Sequence, residues 1–65
     1  MIIIVNATEH NVQSTDLDAA LAELGYTGKA IATAVNGNFV AAEERAGTAL
    51  NANDRVEVLA PMPGG

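Results

Sequence analysis

Ala30-Ile31-Ala32-Thr33-Ala34-Val35-Asn36-Gly37-Asn38-Phe39-Val40-Ala41 is the stretch from which the fold can be read. Ile31, Thr33 and Val35 alternate with Ala30, Ala32 and Ala34, the period-two pattern of a strand. The alanine face leaves room for a helix to pack close. Asn36-Gly37 then supplies the two positive-φ residues that a two-residue type I′ turn demands. Asn38 to Ala41 returns as the partner strand. A β-hairpin therefore sits in the middle of the chain, and the segments on either side must complete its sheet and cover one of its faces.

Upstream lies the clearest helix. Ser14 or Thr15 is placed to cap it, with Asp18 three residues after Thr15 in a variant of the capping box. Leu17, Ala20, Leu21 and Leu24 recur at helical spacing and form one apolar stripe. Gly25 supplies the left-handed residue that ends the helix. Further back, Ile2-Ile3-Ile4-Val5 is a continuous β-branched run, the pattern of a strand buried on both faces and central in its sheet. Asn6 to Asn11 is polar and turn-like, and a short strand around Asn11-Val12-Gln13 is expected to pair back on the first.

Downstream, Glu43-Glu44-Arg45-Ala46 reads as a short solvated turn of 3₁₀ type. Leu50 reads as a core plug and Asn51 to Asp54 as another turn. Arg55-Val56-Glu57-Val58-Leu59 is the last strand, with Val56 and Val58 inward. The element order β-β-α-β-β-β gives an α+β domain of two layers, a sheet of four to five strands on one helix. Residues 1–60 form the domain and residues 61–65 an extended C-terminal tail.

Composition excludes several classes of function. The chain has 65 residues, and thirteen of its apolar residues are alanine, so one thin core is all it can bury. An enclosed active site needs walls that such a chain does not supply. The net charge is -5, and Lys29, Arg45 and Arg55 are scattered. Binding to nucleic acid or to an anionic membrane surface rests on clustered cations, so neither is expected. There is no cysteine, which removes disulfides, thiolate metal sites and a cysteine nucleophile. No signal segment or membrane span is recognisable, so the expected location is the cytoplasm, and the Asn6-Ala7-Thr8 sequon carries no meaning there.

The short motifs yield no catalyst. Gly25-Tyr26-Thr27-Gly28-Lys29 lacks the glycine and the Ser or Thr that a phosphate-binding loop needs, because Glu23 and Ala30 stand at those positions. It joins a helix to a strand in an acidic chain, which also separates it from RNA-binding GxxG loops. His10 is the one histidine and reads as a solvated loop residue. The Glu43-Glu44 pair reads as a solvated turn. No nucleophile, base and orienting group come together, and no metal site is expected.

The tail is different. Ala60-Pro61-Met62-Pro63-Gly64-Gly65 follows directly on the last strand. Pro61 and Pro63 fix φ and remove two donors, which stops the strand and favours an extended exit. Gly64 and Gly65 carry no Cβ, so they suit a narrow channel in another molecule. The Gly65 carboxylate is flanked by no side chain. Leu59, opposite Val56 and Val58 in the alternation, is expected to join Phe39 and Met62 in an apolar surface that faces a partner.

Together with Gly64-Gly65, three features resemble the ThiS family, the sulfur-carrier proteins of thiamine biosynthesis. They are Ala34-Val35-Asn36-Gly37-Asn38-Phe39-Val40, Leu50, and Asn53-Asp54-Arg55-Val56-Glu57-Val58-Leu59. The resemblance runs the full length. The chain departs from the family where Asn53-Asp54 replaces the frequent Gly-Asp, and where Ala41-Ala42 replaces a frequent Pro-Arg. The resemblance implies a β-grasp, ubiquitin-like fold with a mixed sheet whose first and last strands are adjacent and parallel. It also implies a role without catalysis by this chain. An E1-like, ThiF-type enzyme would adenylate Gly65 with Mg-ATP, and a sulfur donor would convert it to a thiocarboxylate. A ThiG-type thiazole synthase would then take the sulfur. Gly64, Pro63 and Met62 would be recognised as the tail, and the chain would bind no cofactor or metal of its own. The alternatives are a MoaD-type small subunit of molybdopterin synthase, which is usually longer, a ubiquitin-like protein modifier, and an interaction domain with an idle tail.

Overall fold

Two tight turns of the same kind lay out the sheet. Asn36 and Gly37 have φ of +51° and +85°, the type I′ pattern expected of them, and Asn6 and Ala7 have φ of +48° and +69°. The second turn was not expected. It closes a hairpin between β1 (Ile2–Val5) and β2 (Thr8–Asn11), pairing Val5 with Thr8 and Ile2 with Asn11. The second strand thus precedes the position around Asn11-Val12-Gln13. Val12 lies just beyond it, fully buried, with its N–H donated to the Met1 carbonyl. The computed structural model describes residues 1–26 and 30–60.

The helix α1 (Leu17–Glu23) buries Leu17, Ala20 and Leu21, and Leu24 packs partly against the same core. Its cap is Asp16, whose carboxylate accepts from the Ala19 N–H at 2.8 Å. The expected caps fail for a tertiary reason. The Thr15 carbonyl accepts from Leu50 N–H, and the Thr48 carbonyl accepts from Leu17 N–H, so the chain is held in an isolated β-bridge up to Asp16. Gly25 follows the helix at φ +91°, as its place in the sequence predicts.

Beyond the helix run β3 (Ala32–Val35), β4 (Asn38–Val40), a 3₁₀ helix (Ala42–Gly47) and β5 (Arg55–Leu59). The five strands lie in the order β2-β1-β5-β3-β4, with β5 central. β1 and β5 are parallel, and the remaining pairs are antiparallel. This is the mixed β-grasp sheet.

The core lies on one face only. Ile3, Val5, Thr33, Val35, Val40, Val56 and Val58 are buried there with Leu17, Leu21 and Leu50. The β-branched run of β1 is therefore not buried on both faces, because Ile2 is exposed and Ile4 half-buried. The alanines of β3 also face the other way from expectation. Thr33 and Val35 point into the core, while Ala32 and Ala34 belong to the open face. Arg45 corrects the expectation of a solvated turn. It is only 6% exposed, with Nε donating to Thr33 Oγ1 at 3.0 Å and a terminal nitrogen to the Ile31 carbonyl at 2.6 Å. Thr33 Oγ1 in turn donates to the Val40 carbonyl, so the buried guanidinium ties the 3₁₀ helix to the β3–β4 hairpin.

Candidate functional site

The open face of the sheet is built by register. Leu59 pairs with Ala32, Glu57 with Ala34, and Ala34 with Phe39, so these side chains share one face. On the same face Arg55 lies beside Ile4, which pairs with Glu9. The result is a face with an apolar end and a charged end. At the apolar end Phe39 is 72% exposed and Leu59 73% exposed, next to the small Ala32 and Ala34. A shallow hollow of about 190 Å³ opens there, lined by Ala32, Thr33, Ala34, Phe39, Glu57 and Leu59. Alanines flanked by two large exposed side chains leave a hollow that an apolar group from another molecule could fill.

A larger hollow of about 420 Å³ lies at the opposite end, lined by Ile4, Asn6, Ala7, Arg55, Val56 and Glu57. It is more polar and distant in register from Leu59, and it lacks any set of convergent reactive groups. Among the described residues no group of three His, Cys, Asp or Glu side chains could hold a metal ion. His10 lies in β2 opposite Ile3, half-buried, rather than in a loop. Glu43 and Glu44 are exposed on the 3₁₀ helix.

Of the three apolar residues singled out from the sequence, Phe39 and Leu59 are thus brought together at one end of the open face. Gly65, Gly64, Pro63 and Met62, and the loop residues Thr27, Gly28 and Lys29, lie outside the described residues. The C-terminal residues follow Ala60, directly after the central strand.

Two residues that shape β5 were missed. Both are the first of the two central residues of a type I′ turn. Asn36 accepts from Arg55 N–H through Oδ1 at 3.0 Å, donates its Nδ2 to Asp54, and gives its own N–H to the Arg55 carbonyl. Asn6 grips the other end, with Oδ1 accepting from Val58 N–H at 2.9 Å and Nδ2 donating to the Val58 carbonyl at 3.1 Å. The signal available was asparagine at a turn, since asparagine combines tolerance of positive φ with a side-chain amide. The same tolerance explains Asn53, at φ +71°, where the family often has glycine.

Compared with known proteins, the chain matches the ThiS family over residues 3–65. It is also similar to the crystal structure of a thiamine biosynthesis protein (ThiS) from Geobacter metallireducens. The identity is 25%, the match covers 100% of both chains, and the TM-score is 0.81. No curated protein sequence matches the chain.

Proposed function

The chain belongs to the ThiS family of sulfur carriers in thiamine biosynthesis, and from that membership we propose that its sulfur is carried on the Gly65 carboxylate. The observation that bears most weight is the reach of the family match, which runs through the core and on to Gly65 itself. The exposed Phe39 on β4, and the exposed Leu59 at the end of the strand that leads into the tail, support a docking face beside it.

A carboxylate is a poor electrophile, so it must be activated. On a ThiF-type adenylating enzyme with Mg-ATP, the Gly65 carboxylate attacks the α-phosphorus and pyrophosphate leaves. The product is an acyl adenylate. Sulfur delivered by a donor at the sulfide level, as hydrosulfide, then attacks the carbonyl carbon, and AMP departs with one of the original carboxylate oxygens. A thiocarboxylate remains, ionised at neutral pH and nucleophilic, as low-pKa thiolates are. A ThiG-type thiazole synthase takes that sulfur into the ring. This chain acts as a co-substrate, binds no cofactor itself, and works in the cytoplasm where the ATP-using partner works. Gly64, Pro63 and Met62 thread the partner's channel, because bare backbone and fixed φ suit a narrow passage. Residues 1–60 serve as the docking domain and 61–65 as the reacting arm.

The test is ATP–pyrophosphate exchange catalysed by a ThiF-type enzyme. Exchange that depends on this chain, and is lost when Gly65 is removed, supports the proposal. Exchange that persists without Gly65 contradicts it.

A further inference from the structure

β5 is held unequally along its two sides. On one side β3 pairs with it from Val35–Val56 to Ala32–Leu59. On the other side β1 reaches only Ile4–Arg55 and Val5–Val56, then turns away at Asn6-Ala7. The last backbone bond of that ladder runs from Asn6 N–H to the Val56 carbonyl at 3.0 Å. Val58 would present its N–H and carbonyl to an empty edge there. The Asn6 side chain fills the gap, with its amide oxygen and nitrogen taking the places of a strand carbonyl and N–H opposite Val58. One side chain thus extends the parallel ladder to the penultimate residue of the strand, one residue before exposed Leu59 and two before Ala60.

We infer that Asn6 is a positioning residue for the covalent chemistry at the C-terminus, acting through Val58 to fix where the tail leaves the sheet. This rests on the Gly65 chemistry proposed above. A docking face centred on Phe39 and Leu59 holds the domain on its partner, while the reacting carboxylate lies several residues further along the chain. The root of the tail therefore sets how often the carboxylate meets the bound nucleotide in a reactive geometry. The left-handed backbone at Asn6 also narrows the residue types that can serve, because asparagine accepts φ +48° and bears an amide of the required reach.

Asn6→Gly removes the amide and keeps the turn, since glycine accepts positive φ. Asn6→Asp keeps the acceptor and loses the donor. Two readouts on the full-length chain separate the clamp from its consequence. Amide exchange at Val58 should rise about tenfold or more in Asn6→Gly, because its acceptor is gone, while the Ile4 amide in the β1–β5 ladder changes far less. In adenylation by a ThiF-type enzyme with Mg-ATP, kcat should fall about three- to tenfold with KM little changed, since docking residues are untouched. Asn6→Asp should fall between wild type and Asn6→Gly in both. Unchanged Val58 exchange overturns the clamp. Faster Val58 exchange with wild-type kcat overturns the positioning role. A wild-type chain that is not adenylated at all overturns the proposed function and this role within it, while the exchange result shows separately whether the clamp exists.

Discussion

Replacing Gly37 by valine isolates the backbone cost of the β3–β4 turn. Gly37 sits at φ +85°, and a Cβ built there meets no heavy atom within 4 Å. Packing therefore adds no penalty, and the loss is conformational. An L-residue in the left-handed region costs about 1–2 kcal/mol, and a β-branched one lies at or above the upper end. Losing glycine also stiffens the unfolded chain, which returns about 0.4–1 kcal/mol. The net destabilisation is about 1–2 kcal/mol. A 65-residue domain has a total stability of about 3–10 kcal/mol, so the change is a sizeable fraction. In urea, where a small domain loses about 1–2 kcal/mol per molar, the midpoint should fall by about 1 M. Gly37→Asn serves as the control, because asparagine tolerates this φ, and it should lie within about 0.5 kcal/mol of wild type. A valine variant with an unchanged midpoint would refute the assignment of a type I′ turn that requires positive φ at this position.

Arg45→Ala should cost about 2–4 kcal/mol by urea unfolding, since it leaves the Ile31 carbonyl and the buried Thr33 hydroxyl without their donor. Glu23 accepts the backbone N–H of Gln13 at 2.7 Å and the Ser14 hydroxyl at 2.7 Å, and these bonds hold its carboxyl below the usual 4.5. The folded value is depressed, so its stabilisation is present above the ordinary glutamate range and is lost as pH falls through the folded value. Glu23→Gln should accordingly flatten the acid side of a melting-temperature profile, and an unaltered profile would contradict the carboxylate's part in it. Leu59→Asp should leave stability within about 0.5 kcal/mol, because the side chain is exposed. The same change should weaken adenylation by a ThiF-type enzyme about tenfold or more, read as kcat/KM.

The elements with strong local signals were legible. The Asn36-Gly37 turn, the Leu17–Leu21 stripe, the Gly25 terminator and the alternation of β5 each depend on contacts within a few residues, and each forms where its pattern predicts. The misplaced features share a different cause. The Asn6-Ala7 turn uses alanine at φ +69°, a residue that carries no turn signal, so β2 was placed too late. Thr15 lost the helix cap because its carbonyl pairs with Leu50, a partner far along the chain. Arg45 lies beside Glu43 and Glu44 and reads as solvated, yet its partners come from β3 and the residue preceding it. The burial of β1 on one face alone depends on which side the helix covers, which alternation within a continuous apolar run does not encode. At the candidate site, exposure of Leu59 followed from strand alternation in β5. The two asparagine amides on β5 did not, since Asn6 reaches Val58 across 52 positions of sequence.

If Gly65 carries the sulfur, the mass of the intact chain reports it. The full-length chain, a ThiF-type enzyme, Mg-ATP and a sulfur donor are incubated together and the chain is weighed. A sulfur on Gly65 gives a gain equal to the difference between one sulfur and one oxygen, mapping to the C-terminal peptide and absent from the chain lacking Gly65 and from Gly64→Val. A chain lacking Gly65 that still acquires sulfur, or a gain that maps to any other peptide, would contradict it.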